Sequence, residues 1–201
     1  MAASVEIPYI VEPHPVTGVT NAKLGMWLFL ASEVMLFGAL FSSYVLIRVG
    51  SPVWPPLEGD KLYVSMGFLN TLVLIASSVT VVMAWAELKV GNYAKFRQWI
   101  WYTIALAGAF MVFKSIEYGL KFNDGHYPKT DTFYAIYFTL TGLHGIHVIG
   151  GIGLWLWFLY PGAKMHKTEP ERFSGRIECA GLYWHFVDLV WIFLFPSIYL
   201  L

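Results

Sequence analysis

The chain reads as an all-α, polytopic membrane protein, a bundle of five transmembrane helices, and three observations predict this. Its 201 residues are 57% hydrophobic and 13% charged, with positive mean hydropathy, which is too apolar for a soluble domain of this size. Five apolar runs are each long enough to cross a hydrocarbon core of roughly 30 Å. Polar loops with proline, glycine and charge separate the runs, with no internal repeat or low-complexity tract. The formal net charge is zero, so the balance gives no reason to expect a nucleic-acid partner. Cys179 is the single cysteine, so an internal disulfide is excluded.

Residues 1–22 carry Glu6, Glu12, Pro8, Pro13 and Pro15 and lack the basic start and apolar centre of a secretory signal. An extended tail is expected there, followed by one five-helix domain over residues 23–201. The first span is expected over residues 24–47. A loop with Pro52, Pro55 and Pro56 leads to the second, over 62–86, and a short basic link to the third, over 98–120. Asp124, Gly125 and Pro128 precede the fourth, over 132–160, which Pro161 and Gly162 should stop. The most hydrophilic loop, with His166, then precedes the fifth, over 177–201. Pro196 should free a carbonyl and kink its last turns.

Loop cations set the orientation. Lys23, Lys89, Lys95, Arg97, Lys164, Lys167, Arg172 and Arg176 flank one side, against Arg48, Lys61, Lys121 and Lys129 on the other. The richer side belongs in the cytoplasm, which puts the amino terminus inside and the carboxyl terminus outside.

The polar residues within the spans carry the functional question. Glu33 interrupts the first span at about 14 Å from Leu24, near the midplane, where an ionised carboxylate is costly and is a functional candidate by default. It shares a helical face with Leu30, Phe37, Leu40 and Tyr44, beside a strip of small residues, Ala31, Gly38 and Ser42, suited to close helix packing. Glu33 is either a hydrogen-bonded packing device or a group that relays protons. On the third span Lys114, Glu117 and Lys121 lie three and four apart near the outer interface, an ion pair expected to fix helix position.

The fourth span holds His144 and His147, three apart, in the glycine-rich stretch 142–151. Hydrogen bonds to neighbouring helices are the simpler expectation, and a metal site with His185 is the rival one. The fifth span sets Glu178, His185 and Asp188 on one stripe, with His185 and Asp188 expected to pair locally. This ladder serves either proton movement from the cytoplasm or a polar seam in the bundle.

The segments Gly-Leu-His-Gly-Ile-His-Val (142–148) and Tyr-Trp-His-Phe-Val-Asp-Leu-Val-Trp (183–191) carry a family resemblance. With Ser32-Glu33-Val34-Met35 and Lys114-Ser115-Ile116-Glu117-Tyr118 they resemble, in order, subunit III of haem-copper terminal oxidases, the cytochrome c oxidase subunit 3 family. The chain is similar to a short, five-helix bacterial form that begins at the helix with the buried Glu, without the two preceding helices of the seven-helix form. The resemblance implies an accessory subunit of a proton-pumping, dioxygen-reducing complex in the bacterial cytoplasmic membrane. It implies no redox centre here, with haem and copper in partner subunits I and II, subunit I as the main contact, and bound phospholipid. Cytochrome c or quinol would be met only indirectly. Glu33 matches the family's membrane-buried Glu, and Glu178, His185 and Asp188 match its polar last helix. Subunit III of a quinol oxidase and the related accessory subunit of nitric-oxide reductases stay open as alternatives. A transporter is a further rival, disfavoured by the odd span count without a repeat.

Overall fold

A computed structural model describes residues 13–52, 54 and 64–200. Residues 1–12 of the tail expected over 1–22, and the proline-bearing stretch at 53 and 55–63, lie outside the described residues.

Among the described residues five long helices dominate, each long and apolar enough to cross a membrane. They are α1 (Asn21–Gly50), α2 (Val64–Lys89), α3 (Tyr93–Asn123), α4 (Thr132–Leu159) and, after a 3-10 turn (Pro161–Lys164) and the one-turn helix α5 (Met165–Thr168), α6 (Pro170–Phe195). The apolar residues run right around each long helix, as expected of spans bathed in lipid. Polar residues mark the ends. The Thr20 hydroxyl accepts from the Lys23 N–H at 3.3 Å to start α1, Asn92 Oδ1 from Lys95 to start α3, and Asp131 Oδ1 from Phe133 at 2.7 Å to start α4. Gly91, at φ +83°, makes the tight turn between α2 and α3, and Pro170 occupies the first turn of α6.

Two boundaries differ from expectation. The third helix begins at Tyr93, five residues before the apolar run, because Asn92 caps it there. The loop expected over 162–176 is mostly helical, and α6 starts at Pro170. At the other end Pro196 closes α6, and residues Pro196–Leu200 continue as a π turn.

The helix α6 is the centre of the bundle, packing on α2, α4 and α1, while α2 and α3 form the most extensive helix pair. Its contact with α2 is a polar zipper between antiparallel helices. Trp184 Nε1 donates to Ser77 Oγ at 3.1 Å and Trp191 Nε1 to Thr71 Oγ1 at 3.0 Å, while Ser78 Oγ meets His185 Nδ1 at 2.6 Å. Against α4 the approach depends on Gly151, where an added Cβ would lie 2.5 Å from the Trp184 ring. By contrast α1 holds on by one seam, with Leu30, Phe37 and Tyr44 buried at seven-residue spacing. Most of its remaining surface faces outward. The small residues Ala31, Gly38 and Ser42 are exposed, and a Cβ on Gly38 would meet nothing within 4 Å, so that strip packs no helix of the described chain.

Candidate functional site

The α1 seam that buries Phe37 also turns Glu33 toward α4. There its Oε2 lies 2.9 Å from His147 Nε2. His147 Nδ1 is 2.8 Å from the Leu143 carbonyl oxygen. A carbonyl only accepts, so Nδ1 carries a proton, and a further proton must lie between Nε2 and Oε2 for that contact to be a hydrogen bond. Whichever atom holds it, the pair is neutral overall. This answers the cost of an acid at membrane depth, because the Glu33 and His147 side chains keep only 15% and 14% of their surface accessible. Phe37 sets its ring edge-on to the imidazole at 5.2 Å, and the Tyr183 hydroxyl donates to the His147 carbonyl at 2.9 Å. Three helices therefore fix one proton-holding pair.

Lys114 and Glu117 form the ion pair that their spacing suggests, 2.9 Å apart, but the side chains are enclosed rather than snorkelling: Lys114, Glu117 and Lys121 are 5%, 0% and 3% exposed, packed among α3, α4 and the terminal π turn. Glu117 Oε1 accepts from the Tyr199 and Tyr137 hydroxyls at 2.6 and 2.8 Å, and its Oε2 from Lys114 Nζ at 2.9 Å. Lys114 also donates to Tyr199 and Tyr137 at 2.5 and 3.2 Å. Its ammonium lies 5.2 Å from the Trp191 ring centroid, and Lys121 lies 5.0 Å from that of Tyr137. Aromatic residues distant in sequence make the cage. Spacing along α3 gave no sign of Tyr137 or Tyr199, whose only prior signal was a tyrosine inside an apolar span.

The two histidines of α4 part company. His147 bonds across to α1, as expected of an interhelical bond, but His144 is fully buried between the Phe110 and Trp191 rings with no hydrogen bond to either ring nitrogen. The physical reason is rotation. Three residues turn a helix by about 300°, enough to move His147 to the α1 side while His144 faces the aromatic core.

The α6 ladder is also revised. His185 does not pair with Asp188; its Nδ1 bonds Ser78 of α2, a hydroxyl that also serves the Asp188 carboxyl. Asp188 Oδ1 is left without a partner. Glu178 is held near the start of α6 by Lys23 of α1, 2.7 Å away. The helix α2 lies close enough to offer a nearer partner than the next turn of α6. His166 stacks on Tyr93 with ring centroids 4.1 Å apart, packing the connection between α4 and α6 against α3.

Among the described residues, no group of three or more His, Cys, Asp or Glu side chains is placed to hold a metal ion. His144, His147 and His185 point to different partners. The site is thus a set of interhelical polar contacts at membrane depth.

The family model of cytochrome c oxidase subunit III matches residues 9–201. Among similar proteins, cytochrome c oxidase subunit 3 of Thermostichus vulcanus is 34% identical over 178 residues, 89% of this chain and 86% of that protein. The protein of the same name from Alkalihalophilus pseudofirmus is 32% identical over 208 residues, 100% of this chain and 98% of its own length. Quinol oxidase subunit 3 of Bacillus subtilis is 33% identical, covering 95% of this chain and 92% of that protein. With five long apolar helices, the Glu33–His147 bridge and a family match running nearly end to end, the chain is a multi-pass membrane protein that belongs to the cytochrome c oxidase subunit III family.

Proposed function

We propose that this chain is the non-catalytic third subunit of a proton-pumping haem-copper oxidase of the cytochrome c type. It sits in the bacterial cytoplasmic membrane with its amino terminus inside. Subunit I is its main contact, subunit II completes the redox core, and dioxygen reduction takes place at haem and copper held by those partners. The observation that carries this reading is the Glu33–His147 bridge, which places an ionisable group at membrane depth and engages it between two helices of the same chain. Such a pair holds one proton and ties the lightly packed α1 to the bundle.

The pair performs two tasks. It keeps α1 in register, and it exchanges its proton with nearby acids and water close to the catalytic subunit's proton entry. Phospholipid is the second ligand of the complex. A groove of about 400 Å³ at the inner end, bounded by Met26, Leu154, Trp157 and Arg176, suits an acyl chain with its phosphate at the guanidinium.

Affinity purification through this chain from native membranes tests the reading. A co-purifying complex with haem absorption, copper and dioxygen uptake supports it, and a colourless chain without partners removes it. Turnover with reduced cytochrome c, and none with quinol, distinguishes the cytochrome type. A quinol-oxidising complex is the second reading, favoured by the quinol oxidase relative. Within the purified complex, Glu33→Gln should alter proton uptake and shorten the turnover lifetime. Unchanged behaviour of both would leave Glu33 a packing residue only.

A further inference from the structure

Three hydroxyls of α2 hold the seam against α6, and one of these contacts differs in kind. Trp184 and Trp191 present indole N–H groups to Ser77 and Thr71, at 3.1 and 3.0 Å. An indole nitrogen only donates, so the direction of those two bonds is fixed. The third contact sets Ser78 Oγ 2.6 Å from His185 Nδ1, and the same hydroxyl is hydrogen-bonded to the Asp188 carboxyl. Here a hydroxyl joins two titratable groups. It has one proton to give, so it donates to one of them and accepts from the other. In one arrangement His185 Nδ1–H donates to Ser78, and Ser78 donates to an ionised Asp188. In the other a protonated Asp188 donates to Ser78, and Ser78 donates to Nδ1. Both arrangements complete the bonds of all three groups to one another.

The two ends differ in access. His185 borders a groove of about 260 Å³ between α2 and α6, bounded also by Trp85, Ile177, Glu178 and Gly181. Its Nε2 has no partner among the described residues. At roughly 30 Å³ for each water, the groove has room for several. Glu178, seven residues or about 10 Å back along α6, borders the same groove beside Lys23. Asp188 is the closed end. It is 7% exposed, its Oδ1 is buried without a partner, and Ser78 is the one hydrogen-bonding group of the described residues that its carboxyl meets. Among the described residues the neighbouring charges are engaged elsewhere. The α2 helix has no charged residue from Val64 to Ala86, and Glu87 pairs with Lys95. On α1 Lys23 pairs with Glu178 and Glu33 with His147 of α4, while Lys114 of α3 pairs with Glu117.

We propose that His185, Ser78 and Asp188 form a proton relay across the α2–α6 seam, which takes up a proton from the groove at His185 Nε2 and stores it on Asp188. The proton added at Nε2 releases the one on Nδ1 to Ser78 Oγ, and the serine passes its own proton to the carboxylate. One proton is gained, no electron moves, and imidazole and acid both end neutral. That end state suits a carboxyl about 16 Å along α6 from Ile177, where an ionised acid is costly. The relay is separate from the Glu33–His147 pair and needs only the membrane-spanning bundle, not the oxidase reading.

Infrared spectroscopy of the chain, purified with whatever assembles on it, tests the relay. The carboxyl band of Asp188 is identified by its loss in Asp188→Asn, and transfer to heavy water follows exchange of its proton. Ser78→Ala and His185→Leu each remove one member and should slow that exchange at least about tenfold, whereas Ser78→Thr keeps a hydroxyl and should restore the native rate. Thr71→Val breaks a bond of the same seam, to Trp191, without touching the relay, and should leave the rate unchanged. Three results overturn the relay: native exchange in Ser78→Ala, equal slowing in Thr71→Val and Ser78→Ala, or an Asp188 carboxyl that neither gains nor loses a proton across about pH 5 to 8. A chain that purifies without an oxidase removes the subunit reading and not the relay, which is read on the chain itself. An intact oxidase with native exchange in Ser78→Ala removes the relay alone.

Discussion

Replacing Glu117 by Gln keeps the size of the side chain and removes the only carboxylate bonded to Lys114 among the described residues. In the native chain that carboxylate accepts three hydrogen bonds of 2.6, 2.8 and 2.9 Å, from Tyr199, Tyr137 and Lys114. Glu117 is 0% exposed and Lys114 5%, so no solvent is available to take over. Breaking one half of a buried ion pair costs about 3–5 kcal/mol, because the remaining charge is left uncompensated. The cage joins α3 and α4 to the terminal turn, so the loss should appear as release of that turn. Thermal unfolding of the detergent-solubilised complex, followed by proteolysis near the carboxyl terminus, measures it. Adding Lys114→Met should recover much of the loss, with a coupling of about 2 kcal/mol or more, since an apolar pair of similar volume is often tolerated where a lone charge is not. A single-variant loss below about 1 kcal/mol, the range of exposed pairs, would refute the claim that the cage is dry and fully engaged.

Tyr199→Phe deletes only a hydroxyl in the same cage and should cost about 1.5–3 kcal/mol, the value of a bond to a charged acceptor, in the same unfolding assay. Gly151→Ala pushes a methyl to within 2.5 Å of the Trp184 ring, so it should destabilise by about 1–3 kcal/mol, whereas Gly153→Ala, with nothing within 4 Å, should be neutral; thermal midpoints of the two variants decide. Lys23→Ala breaks a pair whose side chains are 35% and 30% exposed, so a loss of no more than about 1 kcal/mol, vanishing at high salt, is the expected outcome of a salt-dependent stability series.

The number of helices and their apolar character were legible because lipid contact demands long apolar runs irrespective of packing detail. The α1 seam was legible too, since Leu30, Glu33, Phe37 and Tyr44 follow helical spacing. Boundaries were less so. Residues 93–97 and 170–176 are polar yet helical, since helices extend past the hydrocarbon into the headgroup region, where hydropathy no longer marks them.

Polar partners were harder to read. Local spacing suggested His185 with Asp188, and His144 as a bonded histidine. The bundle instead gave His185 to Ser78 and buried His144 among aromatic rings. Lys114 and Glu117 do pair along α3, but Tyr137 and Tyr199, which complete their cage, are 23 and 85 residues from Lys114.

Composition, periodicity and the oxidase-like motifs were enough for an all-helical membrane subunit with an acidic residue inside its first helix, because burial in hydrocarbon imposes the same demands on every sequence. The identity of that acid's partner was left to the fold. Only the rotation of α4 against α1 turns His147, and not His144, toward Glu33, and only that contact makes an acid at membrane depth part of a neutral pair.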